Sequence, residues 1–237
     1  MTTRRKLLTA GLATAAGATG LTLADRYGLV PPDGGGFYGP GETLTYASQR
    51  LLTRHSMARE FSRDQISTRP FVNETDAPSE DFKRLQSDGF ADWRLTLDGL
   101  VDRPASLSIS ELKRFPVRSQ ITHLACEEGW SYIAEWIGVP LSQVLEAAGI
   151  RPEARYVTYS SMQRGWRDSI DMGDALHPQT LVAYGMNDGE LPVGNGGPLR
   201  LRVPRQLGYK SVKFINHITV VDRLKPMRPG YAWYAGI

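Results

Sequence analysis

The chain has 237 residues, 41% hydrophobic and 22% charged, the balance of a soluble globular protein long enough for one large domain or two small ones. A formal charge of +3 over that length is too small to imply nucleic-acid binding. The single cysteine, Cys126, excludes an intramolecular disulfide, and in an oxidising compartment it is expected either buried as a small apolar side chain or bonded to something.

The first residues read as an address. Thr2-Thr3-Arg4-Arg5-Lys6-Leu7-Leu8 leads into a stretch without charge from Leu7 to Ala24, a basic n-region before an apolar h-region. The paired arginines followed by Lys-Leu-Leu resemble a twin-arginine signal, so residues 1–30 are expected to direct export to the periplasm. The stretch is rich in Gly, Ala and Thr, and is only weakly suited to a stable membrane span. Ala13-Thr14-Ala15 and Thr22-Leu23-Ala24 both offer small residues for cleavage, and an uncleaved anchor stays open. The twin-arginine route carries folded proteins, often already wrapped around a cofactor.

Residues 31–69 are expected to form a linker and extension. Pro31 to Gly41 is Pro/Gly-rich and lacks the Gly-Lys-Ser/Thr ending of a phosphate loop. Thr45 to Phe61 is a polar, helix-compatible segment with Leu51, Leu52 and Ala58 as inward positions.

The folded body is expected over 70–224, followed by a tail over 225–237. Trp93, Leu95 and Leu97 alternate with Arg94, Thr96 and Asp98, the period of a half-buried strand, and Asp98-Gly99 supplies a turn. Ser108-x-x-Glu111 is a capping box for a short helix limited by Pro116. Leu141, Val144, Leu145 and Ala148 make one helical face, with Gly149 as its C-cap. Ile121 to Cys126, Tyr156 to Ser160 and Leu181 to Tyr184 read as short strands, and Asn187-Asp188-Gly189 as a turn. Leu199, Leu201 and Val203 alternate with Arg200 and Arg202. From Val212 to Val220, the residues Val212, Phe214, Ile218 and Val220 share one parity, with Asn216 the exception. Short helices among many strands, without βαβ alternation, predict a mixed α+β fold. The basic run Arg200, Arg202, Arg205, Lys210 and Lys213 reads first as the solvated face of a strand and second as a seat for a small anion.

His123-Leu124-Ala125-Cys126-Glu127-Glu128-Gly129-Trp130 carries the chemistry. Two acids and a glycine end the strand, so the thiol stands at a strand end beside a cleft. A thiolate is a soft ligand that must be deprotonated to bind. It does not make a zinc site alone; His123 is a possible companion, but His55, His177 and His217 show no metal spacing. A metal held by one protein ligand must bring its others. The bland reading of Cys126 is an inert buried cysteine.

Cys126-Glu-Glu-Gly-Trp-Ser131, followed by Trp136-Ile-Gly-Val-Pro-Leu141, resembles the molybdopterin-binding domain of the sulfite-oxidase superfamily. It is most similar there to the catalytic subunits of periplasmic protein-methionine-sulfoxide reductases. Trp93 to Val101, His177-Pro178-x-Thr180-Leu181, Gly194 to Arg200, Val203-Pro204 and Gly208 to Lys213 continue the likeness, which spans roughly Pro70 to Leu224. The resemblance implies a molybdenum-molybdopterin cofactor and transfer of an oxygen atom to or from a small substrate. Reduction of S-oxides such as methionine sulfoxide is one direction; oxidation of sulfite or another sulfur oxyanion is the alternative. A non-catalytic exported binding protein of the same fold is the rival from another class. By the same likeness, Cys126 ligates molybdenum, and Asn195, Arg200, Ser211, Val212 and Lys213 hold the pterin and its phosphate. Ser161 lies against the cofactor, and Asn73 closes the pocket from a stretch that departs from the reductase pattern. Glu128 stands near the metal as a proton donor, its bland reading being a solvent-facing acid. Trp130 and Trp136 read as core. No haem motif is present, so electrons are expected from a separate partner, a membrane haem protein in the related reductases. A monomer is expected, without the dimerisation domain of animal and plant sulfite oxidases.

Overall fold

The computed structural model describes a few positions between 19 and 24 and residues 40–53, 55–73 and 78–224; the signal segment, the start of the linker and the tail lie outside the described residues. Two units are present, Met1–Ser56 with Gly236–Ile237, and Met57–Ala235. Among the described residues no helix is long and apolar enough to cross a membrane.

The first unit carries helix α1 (Pro40–Thr53). The expected helix is there, but it stops at Thr53 short of Phe61, and Leu51 and Leu52 are 70% and 82% exposed rather than inward. Hydroxyls of Thr45, Ser48 and Thr53 donate back to carbonyls four residues earlier, a local satisfaction that asks for no tertiary partner.

In the second unit, helix α2 (Glu80–Ser87) precedes strands β1 (Leu95–Gly99) and β2 (Ala105–Leu107) and helix α3 (Ile109–Leu112). Next come β3 (Arg118–Ala125), β4 (Ser131–Pro140), helix α4 (Leu141–Ala148), β5 (Tyr156–Ser161), β6 (Arg167–Asp171) and helix α5 (Met172–Ala175). Strands β7 (Leu181–Met186), β8 (Gly189–Glu190), β9 (Arg200–Arg202) and β10 (Ile215–Val221) complete it. One sheet runs β2-β1-β10-β5-β6 and the other β3-β4-β7-β8, with β9 on β7; only the β1–β10 pairing is parallel. This is the mixed α+β architecture that the pattern predicts.

The apolar parity of each strand builds the core. Leu95, Leu97, Val157, Ile218 and Val220 of the first sheet share one cluster with Val139, Val182 and Leu201 of the second. The α4 face joins it through all four predicted residues, and Gly149 closes that helix in the left-handed region at φ 72°. At α3, Ser108 accepts from the Glu111 amide while the Glu111 carboxylate accepts from the Ser108 amide. Ser108→Ala is expected to cost about 1 kcal/mol in a urea titration, with activity unchanged.

The structure departs from the pattern in three places. Residues 57–69, read as linker, cover the edge strand β3 at Glu60 and Phe61 and then reach β4: Glu60 bridges Thr122, the Phe61 amide donates to the Ile121 carbonyl at 2.9 Å, and the Ser67 amide donates to the Ile133 carbonyl at 2.9 Å. Backbone pairing of this kind covers a sheet edge with any side chains, so no apolar period announces it. Strand β10 starts only at Ile215, because Phe214 sits at φ 56° and the register shifts between Ile215 and His217. That bulge resolves the Asn216 exception, since the parity changes where the extra residue enters. Strand β9 is buried at all three residues, so Arg200 and Arg202 do not lie on a solvated face.

Candidate active site

Strand β3 ends where Cys126-Glu-Glu-Gly-Trp130 turns the chain into β4. The Cys126 amide donates to the Trp130 carbonyl at 2.9 Å and the Gly129 amide to the Cys126 carbonyl at 3.1 Å. The Cys126 thiol is free and half-buried at this strand end. Its sulfur lies 3.3 Å from Glu127 Oε2 and 3.9 Å from Glu128 Oε2. Burial first, then the adjoining carboxylates, push the thiol up to about 11 against a bond from the Glu128 amide. Left to itself the sulfur keeps its proton, and a bound cation would be needed to make it a thiolate.

An aromatic wall stands next to it. Trp130 Nε1 donates to Glu128 Oε2 at 2.6 Å, and the Trp130 ring stacks on Tyr132 with centroids 6.0 Å apart. Phe71 covers the other side of Trp130 at 4.8 Å. Trp130 is partly buried and packs against the core cluster of Leu124, Tyr132 and Trp136, and its indole also holds the Glu128 carboxylate, whereas Trp136 is wholly buried as expected. From Tyr132 the contacts pass to Asn195, whose Nδ2 donates to the Tyr132 hydroxyl at 3.4 Å.

Asn195 opens the second half of the site. Arg200 Nη1 donates to its carbonyl at 2.7 Å, and Arg200 Nη2 donates to the Ser211 carbonyl at 2.5 Å. The Ser211 hydroxyl accepts from the Val203 amide, and the Val212 carbonyl accepts from the Leu201 amide. Lys213 Nζ donates to the Gly194 carbonyl at 2.7 Å and to Asn73 Oδ1 at 2.9 Å, while Ser161 Oγ donates to the Lys213 carbonyl at 2.8 Å. Gly196, at φ 108°, lets the two segments touch, since a Cβ there would lie 3.0 Å from the Lys213 Cβ. Asn73 and Ser161 thus bond to Lys213, and Arg200 joins Asn195 to Ser211, the two groups being neighbours along the chain at Gly194–Asn195 and Ser211–Val212–Lys213. The segment Gly208–Lys210 lies against the thiol strand, as a Cβ at Gly208 would stand 3.3 Å from the Cys126 Cα.

Four residues here are not among those expected at the site. Arg202 is fully buried, donating to the His123 carbonyl at 2.6 Å and to the Thr122 hydroxyl at 3.3 Å. Tyr132 joins the thiol turn to Asn195. Lys210 is buried against Asp168, at 2.8 Å, and the Ser169 carbonyl, at 2.7 Å. Only Arg202 and Lys210 carried a signal, lying inside the basic run; Asp168 carried none. The exposed His123 packs its ring edge-on to Phe61 rather than joining the thiol, so it is not a companion ligand. Among the described residues no cluster of three or more His, Cys, Asp or Glu could hold a metal unaided.

The donor set fits an anionic cofactor that carries its own metal. Arg200 and Arg202 are buried cations that, among the described residues, meet no carboxylate; they face carbonyls, hydroxyls and the Trp136 ring, 5.2 and 5.4 Å from its centroid. The Nε of each has no hydrogen-bond partner. Burial, and then the like charge of Arg200, pulls the Arg202 guanidinium down to about 9, the condition of a cation short of a counter-ion. A pterin phosphate is such a counter-ion, and guanidinium matches its oxygens in pairs.

Residues 82–228 match the oxidoreductase molybdopterin binding domain. A putative protein-methionine-sulfoxide reductase subunit, YedZ1, of Azospira oryzae is 33% identical over 73% of this chain and 66% of its own length. The protein-methionine-sulfoxide reductase catalytic subunit MsrP of Xanthomonas campestris is 35% identical over 66% of this chain and 51% of its own length. MsrP of Xanthomonas axonopodis is 33% identical over 98% and 72% respectively. The chain thus spans only about half to two thirds of the first two of these relatives. In fold, it is similar to the sulfane dehydrogenase SoxCD of Paracoccus pantotrophus, with a TM-score of 0.54 and 21% identity over 72% of this chain and 46% of that one.

Proposed function

The chain belongs to the oxidoreductase molybdopterin binding family, and from that premise we propose that it reduces S-oxides, with methionine sulfoxide as the substrate class. The observation that carries this reading is the Cys126 turn: one half-buried thiol, unmatched by a second protein ligand, beside a Glu128 carboxylate fixed by Trp130. The names borne by the relatives support the substrate.

Bound molybdopterin supplies two-electron redox chemistry and exchange of an oxygen atom with substrate. Cys126 holds the metal by its sulfur. Asn195, Arg200, Ser211, Val212 and Lys213 seat the pterin and its phosphate, Arg202 adds a second buried positive charge, and Ser161 and Asn73 brace the Lys213 segment. Reduction of a sulfoxide consumes two electrons and two protons and releases water. Glu128 Oε2 is placed to deliver a proton, because it lies 3.9 Å from the Cys126 sulfur and the indole of Trp130 fixes its direction. Glu128→Gln is expected to slow turnover by roughly a hundredfold while leaving pterin content unchanged, as read by steady-state kinetics and cofactor extraction.

Sulfite oxidation is the alternative, and the names borne by the relatives favour the sulfoxide over it. Residues 1–30 deliver the protein to the periplasm, residues 70–224 form the oxidoreductase domain, and a membrane haem protein supplies the electrons. The test is turnover of cofactor-loaded protein with methionine sulfoxide and a reduced viologen dye, against sulfite with an oxidised dye. Sulfite turnover without sulfoxide turnover refutes the proposal.

A further inference from the structure

The first sheet has a second face that the oxidoreductase reading leaves unused. Its inner residues Leu97, Val157, Tyr159, Ile218 and Val220 are core, so the alternate positions point outward. Register places His217 beside Thr96 and Ser160, and Ser160 beside Arg167; one row on, Thr219 lies between Asp98 and Thr158. These side chains floor a groove of about 460 Å³, whose far wall is Arg223 with Leu224 just past the end of β10.

The charges of the groove do not balance. His217 is engaged by Asp98 at 2.9 Å, and Thr219 joins the same pair. Asp168 also lines the groove, but its carboxylate is paired with Lys210 and accepts from the Ser169 amide. Arg167 and Arg223, both exposed, have no hydrogen-bond or carboxylate partner among the described residues. Two free guanidiniums therefore share one concave surface with the hydroxyl of Ser160, while Thr158 donates to the Thr219 carbonyl and Thr219 bonds His217. A concave surface of one sign concentrates counter-ions, and a guanidinium fork pairs with two oxygens of one acid group.

We propose that this groove is a second ligand site, separate from the cofactor site, that binds a small organic anion through Arg167 and Arg223, with the hydroxyl of Ser160 donating to one of its remaining oxygens. The volume suits a molecule carrying more than one carboxylate or phosphate group.

Calorimetry on the full-length, cofactor-loaded protein tests it, with citrate and inorganic phosphate as separate probes. Loading the cofactor first removes the pterin phosphate seat as a competitor. Citrate is expected to bind with a sub-millimolar Kd that weakens as salt rises. The double variant Arg167→Ala/Arg223→Ala is expected to bind roughly tenfold or more weakly, with its melting temperature and sulfoxide turnover unchanged. Phosphate competing with citrate supports a site for oxyanions in general, and citrate binding alone supports one for carboxylates. Absence of binding by either probe, or equal binding by the double variant, overturns the proposal. Sulfoxide turnover is read in the same samples, so a failure of the active-site reading is seen separately.

Discussion

Replacing Cys126 by alanine is expected to abolish oxygen-atom transfer while the protein still folds and still holds its pterin. The sulfur lies at a strand end and only half-buried, so its loss leaves little cavity; melting should move by less than the roughly 2–5 kcal/mol of a core truncation. On the proposed assignment the pterin would keep Asn195, Arg200, Ser211, Val212 and Lys213, none of which depends on the thiol for its bonds. Turnover, by contrast, should fall by more than the roughly 10–100-fold that losing an outer partner of a metal site costs. Kinetics with methionine sulfoxide and cofactor extraction on the same preparation separate these effects. Wild-type turnover in the variant would refute a catalytic role for the thiol, whereas the rival binding-protein reading predicts turnover in neither protein and no bound molybdenum.

Lys210→Met is expected to be the most damaging single change to stability. Lys210 is 1% exposed and Asp168 3%, and the lysine spans from that carboxylate to the Ser169 carbonyl. Burial holds the Asp168 carboxyl above its usual range even against Lys210, so removing the lysine strands an acid that has no water to turn to. Breaking such a pair from one side costs about 3–5 kcal/mol, or roughly 10 °C of melting temperature in a chain of this size. The double change Lys210→Met/Asp168→Leu should recover most of that loss, because the orphaned charge goes with its partner. Both variants should also perturb the cofactor, since Lys210 lies between Gly208, against Cys126, and Ser211, bonded to Arg200 and Arg202. Thermal melts of the three proteins supply the readout.

The fold was legible wherever one face of an element is apolar. Leu95 and Leu97, the α4 face and the Ser108–Glu111 box each state their role within a few residues, and the structure keeps all of them. The edge cover at residues 57–69 was not, because it is made of backbone bonds. Burial of Arg200 and Arg202 was missed for another reason. Two arginines alternating with Leu199, Leu201 and Val203 have the period of a half-exposed strand, and local sequence cannot show that β3 and the Ser211 segment close over the polar side. At the site, Cys126 and its acids could be read from one short stretch, whereas Tyr132 and Asp168 are distant in sequence from the groups they touch and match no motif.

The central claim is one bond, between the Cys126 sulfur and molybdenum. X-ray absorption at the molybdenum edge of cofactor-loaded protein, compared with Cys126→Ala loaded in the same way, addresses it directly. The account predicts one sulfur neighbour beyond those of the dithiolene in the wild type and its disappearance in the variant. The same sulfur shell in both proteins would contradict it.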